Sequence, residues 1–165
     1  MTQKNESIYK VLRKAKLLSS SIPKSKILLM DEDNNLLLGI KRSLIKQDFI
    51  VEIAIDSEEA LSKIEDFQPN LIILDLKMHY LEGNTFLKMI KQLYHDIEVI
   101  ILTGSTNFDS YTECLDNGAF CWLTKPLNIN RLMVKVNSAL TNISIKKQSD
   151  LKASKGGGLN WNGQN

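Results

Sequence analysis

Between residues 26 and 143 the chain alternates two hydrophobic patterns. Short apolar runs of four to six residues are followed, five times, by stretches in which apolar positions recur every three or four residues. "KILLM" (26–30) precedes "NNLLLGIKRSLIKQ", where Leu37, Ile40, Leu44 and Ile45 fall on one helical face. "IVEIAI" (50–55) precedes "DSEEALSKIEDF", which opens on the cap residues Asp56 and Ser57 with acids in its first turn. "LIIL" (71–74) precedes "NTFLKMIKQLY", and "IEVIIL" (97–102) precedes "NFDSYTECLDNG", closed by Gly118 at a C-cap position. "AFCWL" (119–123) precedes "NINRLMVKVNSAL", where Leu132, Val136, Ala139 and Leu140 share a face.

Short Ile/Leu/Val runs suit strands buried on both faces, and amphipathic helices between them make right-handed crossovers. The pattern predicts an α/β domain over residues 25–143: a flavodoxin-like, doubly wound (βα)5 unit with five parallel strands in the order 2-1-3-4-5. In such a sheet a ligand site lies beyond the carboxyl ends of the strands. That prediction directs attention to four loops.

The first strand runs into Asp31, Glu32 and Asp33, the third ends on Asp75, the fourth on Thr103-Gly104-Ser105, and the fifth on Lys125-Pro126. Singly each has a plain structural explanation, since acids cap helices, threonine favours strands and lysine favours solvent. Asp75, directly after four apolar residues, is harder to explain that way, because desolvating an unpaired carboxylate is expensive. Three acids, a hydroxyl and a lysine reaching one sheet edge form a set with narrow chemistry. Asp31, Glu32 and Asp75 would repel one another without a cation, and hard oxygen ligands suit Mg²⁺. Lys125 and the Thr103 hydroxyl would then meet a phosphoryl group, with Asp75 as its nucleophilic acceptor.

Composition and charge bound the alternatives. The 165 residues are 43% hydrophobic and 24% charged, an ordinary globular balance. Net charge is +2, but residues 1–26 carry seven Lys/Arg against Glu6 (+6) and residues 146–165 carry four Lys against Asp150 (+3), so the body between is left with −7. An acidic body argues against direct nucleic-acid binding. Residues 1–24 form a basic amphipathic extension, with Ile8, Val11, Leu12, Ala15 and Leu18 at helical spacing, and 144–165 reads as a flexible polar tail containing Trp161. Cys114 and Cys121 are too few for a disulfide framework. No signal peptide or bilayer-spanning stretch is present, so the expectation is a cytoplasmic protein without a membrane partner.

These loops resemble those of the receiver domain of two-component response regulators across roughly residues 25–143. The resemblance is carried by "ILLMDED", "PNLIILDLKMHYLEG", "VIILTGS" and "GAFCWLTKP". It implies that Asp75 accepts a phosphoryl group from a histidine kinase or histidine phosphotransfer protein. It also implies that Glu32 and Asp75 ligate Mg²⁺ with the Lys77 backbone carbonyl, while Asp31 acts through water. Thr103 and Lys125 would contact the phosphoryl group, and Trp122 matches an aromatic position that moves with the threonine. The downstream partner would bind the face formed by the fourth helix, fifth strand and fifth helix, with homodimerisation a further outcome. The chain departs from the family's common pattern at His79, where proline is usual, at Glu32 in place of Asp, and at Trp122 in place of Tyr or Phe. His79 and His95 lack paired spacing and read as surface histidines.

The expected function is a stand-alone receiver, a phosphoacceptor rather than an enzyme. Two rivals remain. A haloacid-dehalogenase-type phosphatase would use Asp31 as nucleophile and Asp33 as acid, but it needs an acidic pair after the lysine, and only Asp150 follows Lys125. An unphosphorylated receiver acting as an interaction module would keep the fold and drop the chemistry.

Overall fold

The computed structural model describes residues 23–77, 83–104 and 108–156. The elements follow in the order β1 (Lys26–Met30), α1 (Asn34–Ile45), β2 (Ile50–Ala54), α2 (Ser57–Phe67), β3 (Leu71–Asp75), α3 (Gly83–Leu93), β4 (Glu98–Thr103), α4 (Phe108–Asp116), β5 (Cys121–Thr124) and α5 (Ile129–Gly156). The strands form one parallel sheet in the order β2-β1-β3-β4-β5, as the alternation predicted.

Two apolar layers hold the sheet. Leu28, Met30, Ile72, Leu74, Val99 and Ile101 face α2, α3 and α4, where they meet Ile64, Phe86, Ile90 and Cys114. Ile27, Leu29, Leu71, Ile73, Ile100 and Leu123 face α1 and α5, meeting Leu37, Ile40, Leu44, Leu132, Val136 and Ala139. Both faces are apolar because a parallel sheet is covered on both sides, which is why the strands read as runs and not as alternations. Each fully buried Leu or Ile contributes about 1.5–3 kcal/mol.

Local chemistry sets the helix ends. Asp33 caps α1, its Oδ1 accepting from the backbone N–H of Asn35 at 3.0 Å and of Leu36 at 3.1 Å. Asp56 caps α2 through the Glu59 N–H at 2.8 Å. Gly118, at φ +92°, takes the left-handed turn after α4, a conformation that side chains rarely adopt. At Gly83 the reason is space: a Cβ there would lie 2.7 Å from the Leu76 Cα, so only glycine lets α3 begin against the end of β3.

Leu140 packs half-buried beside Leu132, Val136 and Ala139, as expected, and Ile143 extends the apolar face of α5. Two expectations need correction. Ile45 does not share the buried face of α1; it is 51% exposed, one residue past the Leu44 stripe. The polar stretch after residue 143 is not a flexible tail over its first part, because α5 continues without a break to Gly156. That stretch has no Pro or Gly before Gly156, and its serines turn their hydroxyls back onto the helix, Ser144 to the Leu140 carbonyl and Ser154 to the Leu151 carbonyl. Lys146 and Asn142 also bond the side chain of Glu98, which fixes the helix to the sheet at the point where its apolar face ends. The amphipathic extension over residues 1–22, His79, Ser105 and Trp161 lie outside the described residues.

Candidate functional site

The period of two along a strand brings the site together. Ile27 and Leu29, Leu71 and Ile73, and Leu123 all face the α1–α5 side. Continuing each alternation to the carboxyl edge puts Asp31, Asp75 and Lys125 on that side too. There the Lys125 Nζ donates to Asp31 Oδ2 at 2.6 Å and to Asp75 Oδ2 at 2.9 Å. Both aspartates are buried, at 2% and 5% exposure. Their other oxygens are taken by loop amides: Asp31 Oδ1 accepts from the Asp33 N–H at 2.9 Å and Asp75 Oδ1 from the Lys77 N–H at 3.2 Å. The Lys125 N–H donates in turn to the Thr103 carbonyl at 2.8 Å, and the Lys125–Pro126 bond is cis.

Two carboxylates share one ammonium here. Burial alone would press the Lys125 ammonium below its usual range, but its hydrogen bonds to Asp31 and Asp75 outweigh that and raise it. The arrangement keeps a net negative charge at a desolvated edge, with hard oxygens as the only acceptors, a donor set that fits a Mg²⁺ ion. Of the expected ligands, Asp31 and Asp75 are brought together, while Glu32 is exposed on the adjoining loop. Among the described residues no three His, Cys, Asp or Glu side chains converge as a metal cluster, so Glu32 has to turn inward for it to ligate.

Thr103 is buried at the end of β4, and its strand alternation points it to the other face, with Ile101 and Trp122. Asp33 is engaged as the cap of α1 and not as part of the pocket. His95 lies exposed in the turn after α3, 3.3 Å from the Asp96 carboxylate and far along the chain from the carboxyl edge.

Sequence reasoning missed two groups. Tyr111 of α4 stacks on Trp122, a pairing between a helix and an edge strand that no periodicity announces. Glu98, at the opposite edge of the sheet, is 3% exposed and accepts from Asn142 Nδ2 at 2.9 Å and Lys146 Nζ at 2.5 Å, with Lys91 Nζ at 3.8 Å. Desolvation lowers the Lys91 ammonium, against the opposing pull of Glu98.

The comparisons with known proteins agree with this geometry. Residues 27–137 match the model of the response regulator receiver domain. The chain is 28% identical over 123 residues to the transcriptional regulatory protein PrrA of Mycobacterium leprae, covering 74% of this chain and 53% of that protein. It is 25% identical over 125 residues to the DNA-binding transcriptional regulator NtrC of Proteus hauseri, covering 76% of this chain and 26% of that protein. The chain thus spans between a quarter and about half of the length of these relatives. Among solved structures, a CheY-like response regulator receiver domain protein from Methanospirillum hungatei superposes with a TM-score of 0.72 at 29% identity, over 75% of this chain and 99% of that one. The signal receiver domain of a LuxO-type repressor protein from Vibrio parahaemolyticus gives 0.73 at 27% identity, over 77% and 98%. No helix among the described residues is long and apolar enough to cross a membrane. With its sheet order, its carboxyl-edge aspartates and its lysine in place, the chain belongs to the response regulator receiver domain family of two-component signal transduction.

Proposed function

We propose that Asp75 is a phosphoacceptor, charged by a histidine kinase or histidine phosphotransfer protein, and that its modification changes which partner the domain binds. The observation that carries this reading is the buried Asp31–Lys125–Asp75 bridge. An Asp75 oxygen attacks the phosphorus of a phosphohistidine; the P–N bond breaks as the P–O bond forms, and the imidazole leaves. Lys125, already within hydrogen-bonding distance of Asp75, stabilises charge on the transferring group without reorganisation. Glu32 and Asp75, with the Lys77 backbone carbonyl, would hold Mg²⁺, with Asp31 acting through water, and the ion would neutralise phosphoryl oxygens when bound. The Thr103 hydroxyl donates to the acyl phosphate once formed. In this reading the domain is not an enzyme beyond its own charging and discharge.

The surface made by α4, β5 and α5 is the proposed output face. Along α5, beside Phe120, runs a shallow groove of about 570 Å³ that includes Val134, Thr141 and Ile145, with Val134 64% exposed. Output through a separate protein, or through a second copy of the chain, is the proposed route. A pull-down with the phosphorylated protein tests it, and recovery of the same proteins with and without phosphorylation counts against it.

The chemistry is tested by incubating the protein with acetyl phosphate and Mg²⁺ and weighing it intact. Wild type is expected to gain one phosphoryl group, and Asp75→Asn none. Steady phosphate release that depends on Asp31 would favour the phosphatase, against which the capping role of Asp33 already weighs. Lack of any gain in the folded wild type would leave the interaction module.

A further inference from the structure

Trp122 occupies the edge strand β5 and packs against the layer facing α2, α3 and α4. Its indole stacks on the ring of Tyr111, with centroids 4.9 Å apart and planes within 10° of parallel. α4 is the shortest helix, nine residues long. Of its side chains described, from Tyr111 to Asp116, only those of Tyr111 and Cys114 are buried. Among the described side chains of α4, the stack is therefore one of two anchors that seat the helix on the sheet.

The register connects this anchor to the site. Ile101 lies opposite Trp122, and Thr103 opposite Thr124. Thr103 and Trp122 thus project from the same side of neighbouring strands, one alternation apart. A displacement of Thr103 towards the carboxyl edge removes support from beside the indole, and the indole cannot follow without leaving or carrying Tyr111.

We propose that Tyr111 is a latch on Trp122: the stacked pair belongs to the form in which Asp75 is a free carboxylate bound to Lys125, and α4 is unseated together with Trp122 when Asp75 carries a phosphoryl group. The proposal rests on the phosphoacceptor reading above and adds to it a named residue that sets the switching threshold. Tyr111 touches no reacting atom, so it is a positioning residue that acts through Trp122. Because the stack favours the unmodified form, any ligand that prefers the other form binds against it, and removing the stack tightens that ligand by the same factor. An aromatic pair of this kind corresponds to about a twofold to tenfold change.

Beryllofluoride with Mg²⁺, a phosphoryl mimic, is the probe. Trp122 and Trp161 are the two tryptophans, so Trp161→Phe leaves Trp122 as the sole indole emitter. In that background, beryllofluoride is expected to change both the emission of Trp122 and its quenching by acrylamide. Tyr111→Leu should bind beryllofluoride about twofold to tenfold more tightly, with its unliganded emission already shifted towards the liganded spectrum. Tyr111→Phe, which keeps the stack, should lie closer to wild type than to Tyr111→Leu. Equal affinity in Tyr111→Leu and wild type overturns the latch while leaving the phosphoacceptor reading intact. Should Tyr111→Leu fail to fold, the quenching measurement on the Trp161→Phe protein decides, since identical quenching with and without saturating beryllofluoride also overturns it. A folded Trp161→Phe protein with no beryllofluoride response at any concentration sinks the phosphoacceptor reading and the latch with it.

Discussion

Both edges of the sheet bury carboxylates against lysine, and they do so with opposite arithmetic. At the amino edge one carboxylate, Glu98, receives Asn142 and Lys146 from α5 and lies close to Lys91 from α3. At the carboxyl edge two carboxylates, Asp31 and Asp75, share the single ammonium of Lys125 among the described residues. The first is a closed account of charge, with more cation than anion, and it ties helices to the sheet. The second is left with an excess of negative charge in a desolvated place. Such an excess is costly unless a cation or a chemical modification uses it. The same residue types give a fastener at one end and a reactive site at the other, and only their ratio differs.

The largest expected effect separates the two lysines by function. Lys125→Met should slow phosphoryl uptake from acetyl phosphate by about a hundredfold, the order found when one pre-organised charge-stabilising donor is removed. Lys146→Met should leave that rate unchanged. Its effect belongs in amide exchange, with faster exchange over residues 144–156 because the side-chain tie at the end of the apolar face is gone. Rates followed by intact mass, beside an exchange map, check both. Equal rates in Lys125→Met and wild type would erase the distinction drawn between the edges.

That contrast also shows what the sequence made legible. The five apolar runs announced the strands, and parallel topology then required Asp31, Asp75 and Lys125 to meet, because period two and strand order are rules of backbone geometry. Glu98 could not be read this way. Its burial depends on donors 44 and 48 residues further along the chain, the second of them, Lys146, in a stretch whose polarity suggested a tail. The helix over 144–156 was hidden for the same reason, since polar sequence is helical here through the lack of Pro or Gly before Gly156 and a tertiary tie, and not through an apolar stripe. Asp33, the acid of the rival phosphatase reading, is instead the α1 cap, the plain role that an acid before a helix suggests. The Tyr111–Trp122 stack crosses an irregular turn, where no period relates the two positions.

A middle-sized effect is expected in stability, with opposite signs at the two edges. Glu98→Gln keeps an acceptor for Asn142 but removes the carboxylate that Lys146 and the half-buried Lys91 face, at a cost of about 1–3 kcal/mol. Asp75→Asn removes one of two repelling carboxylates and leaves Lys125 its bond to Asp31, so unfolding free energy should stay equal or rise. Urea denaturation of the three proteins measures this. If Asp75→Asn were destabilised as much as Glu98→Gln, the carboxyl edge would hold no excess charge worth relieving.

The smallest effect lies in alkaline pH, where the two half-buried lysines part company. The ammonium of Lys125 is raised in the folded protein, so its contribution is full below the ordinary lysine range, near pH 10.4, and is lost as pH climbs through the higher folded value. The ammonium of Lys91 is lowered, so folding works against its charged form below that range and is relieved as pH rises towards it. The stability advantage of wild type over Lys125→Met should therefore shrink as pH climbs above about 10, while any advantage over Lys91→Met should grow as pH approaches 10. Desolvation weighs on both lysines, and at the carboxyl edge hydrogen bonds to two carboxylates outweigh it, so the two slopes have opposite signs in a quantity that needs no knowledge of the phosphodonor. Parallel slopes would mean that Asp31 and Asp75 do not outweigh the burial of Lys125.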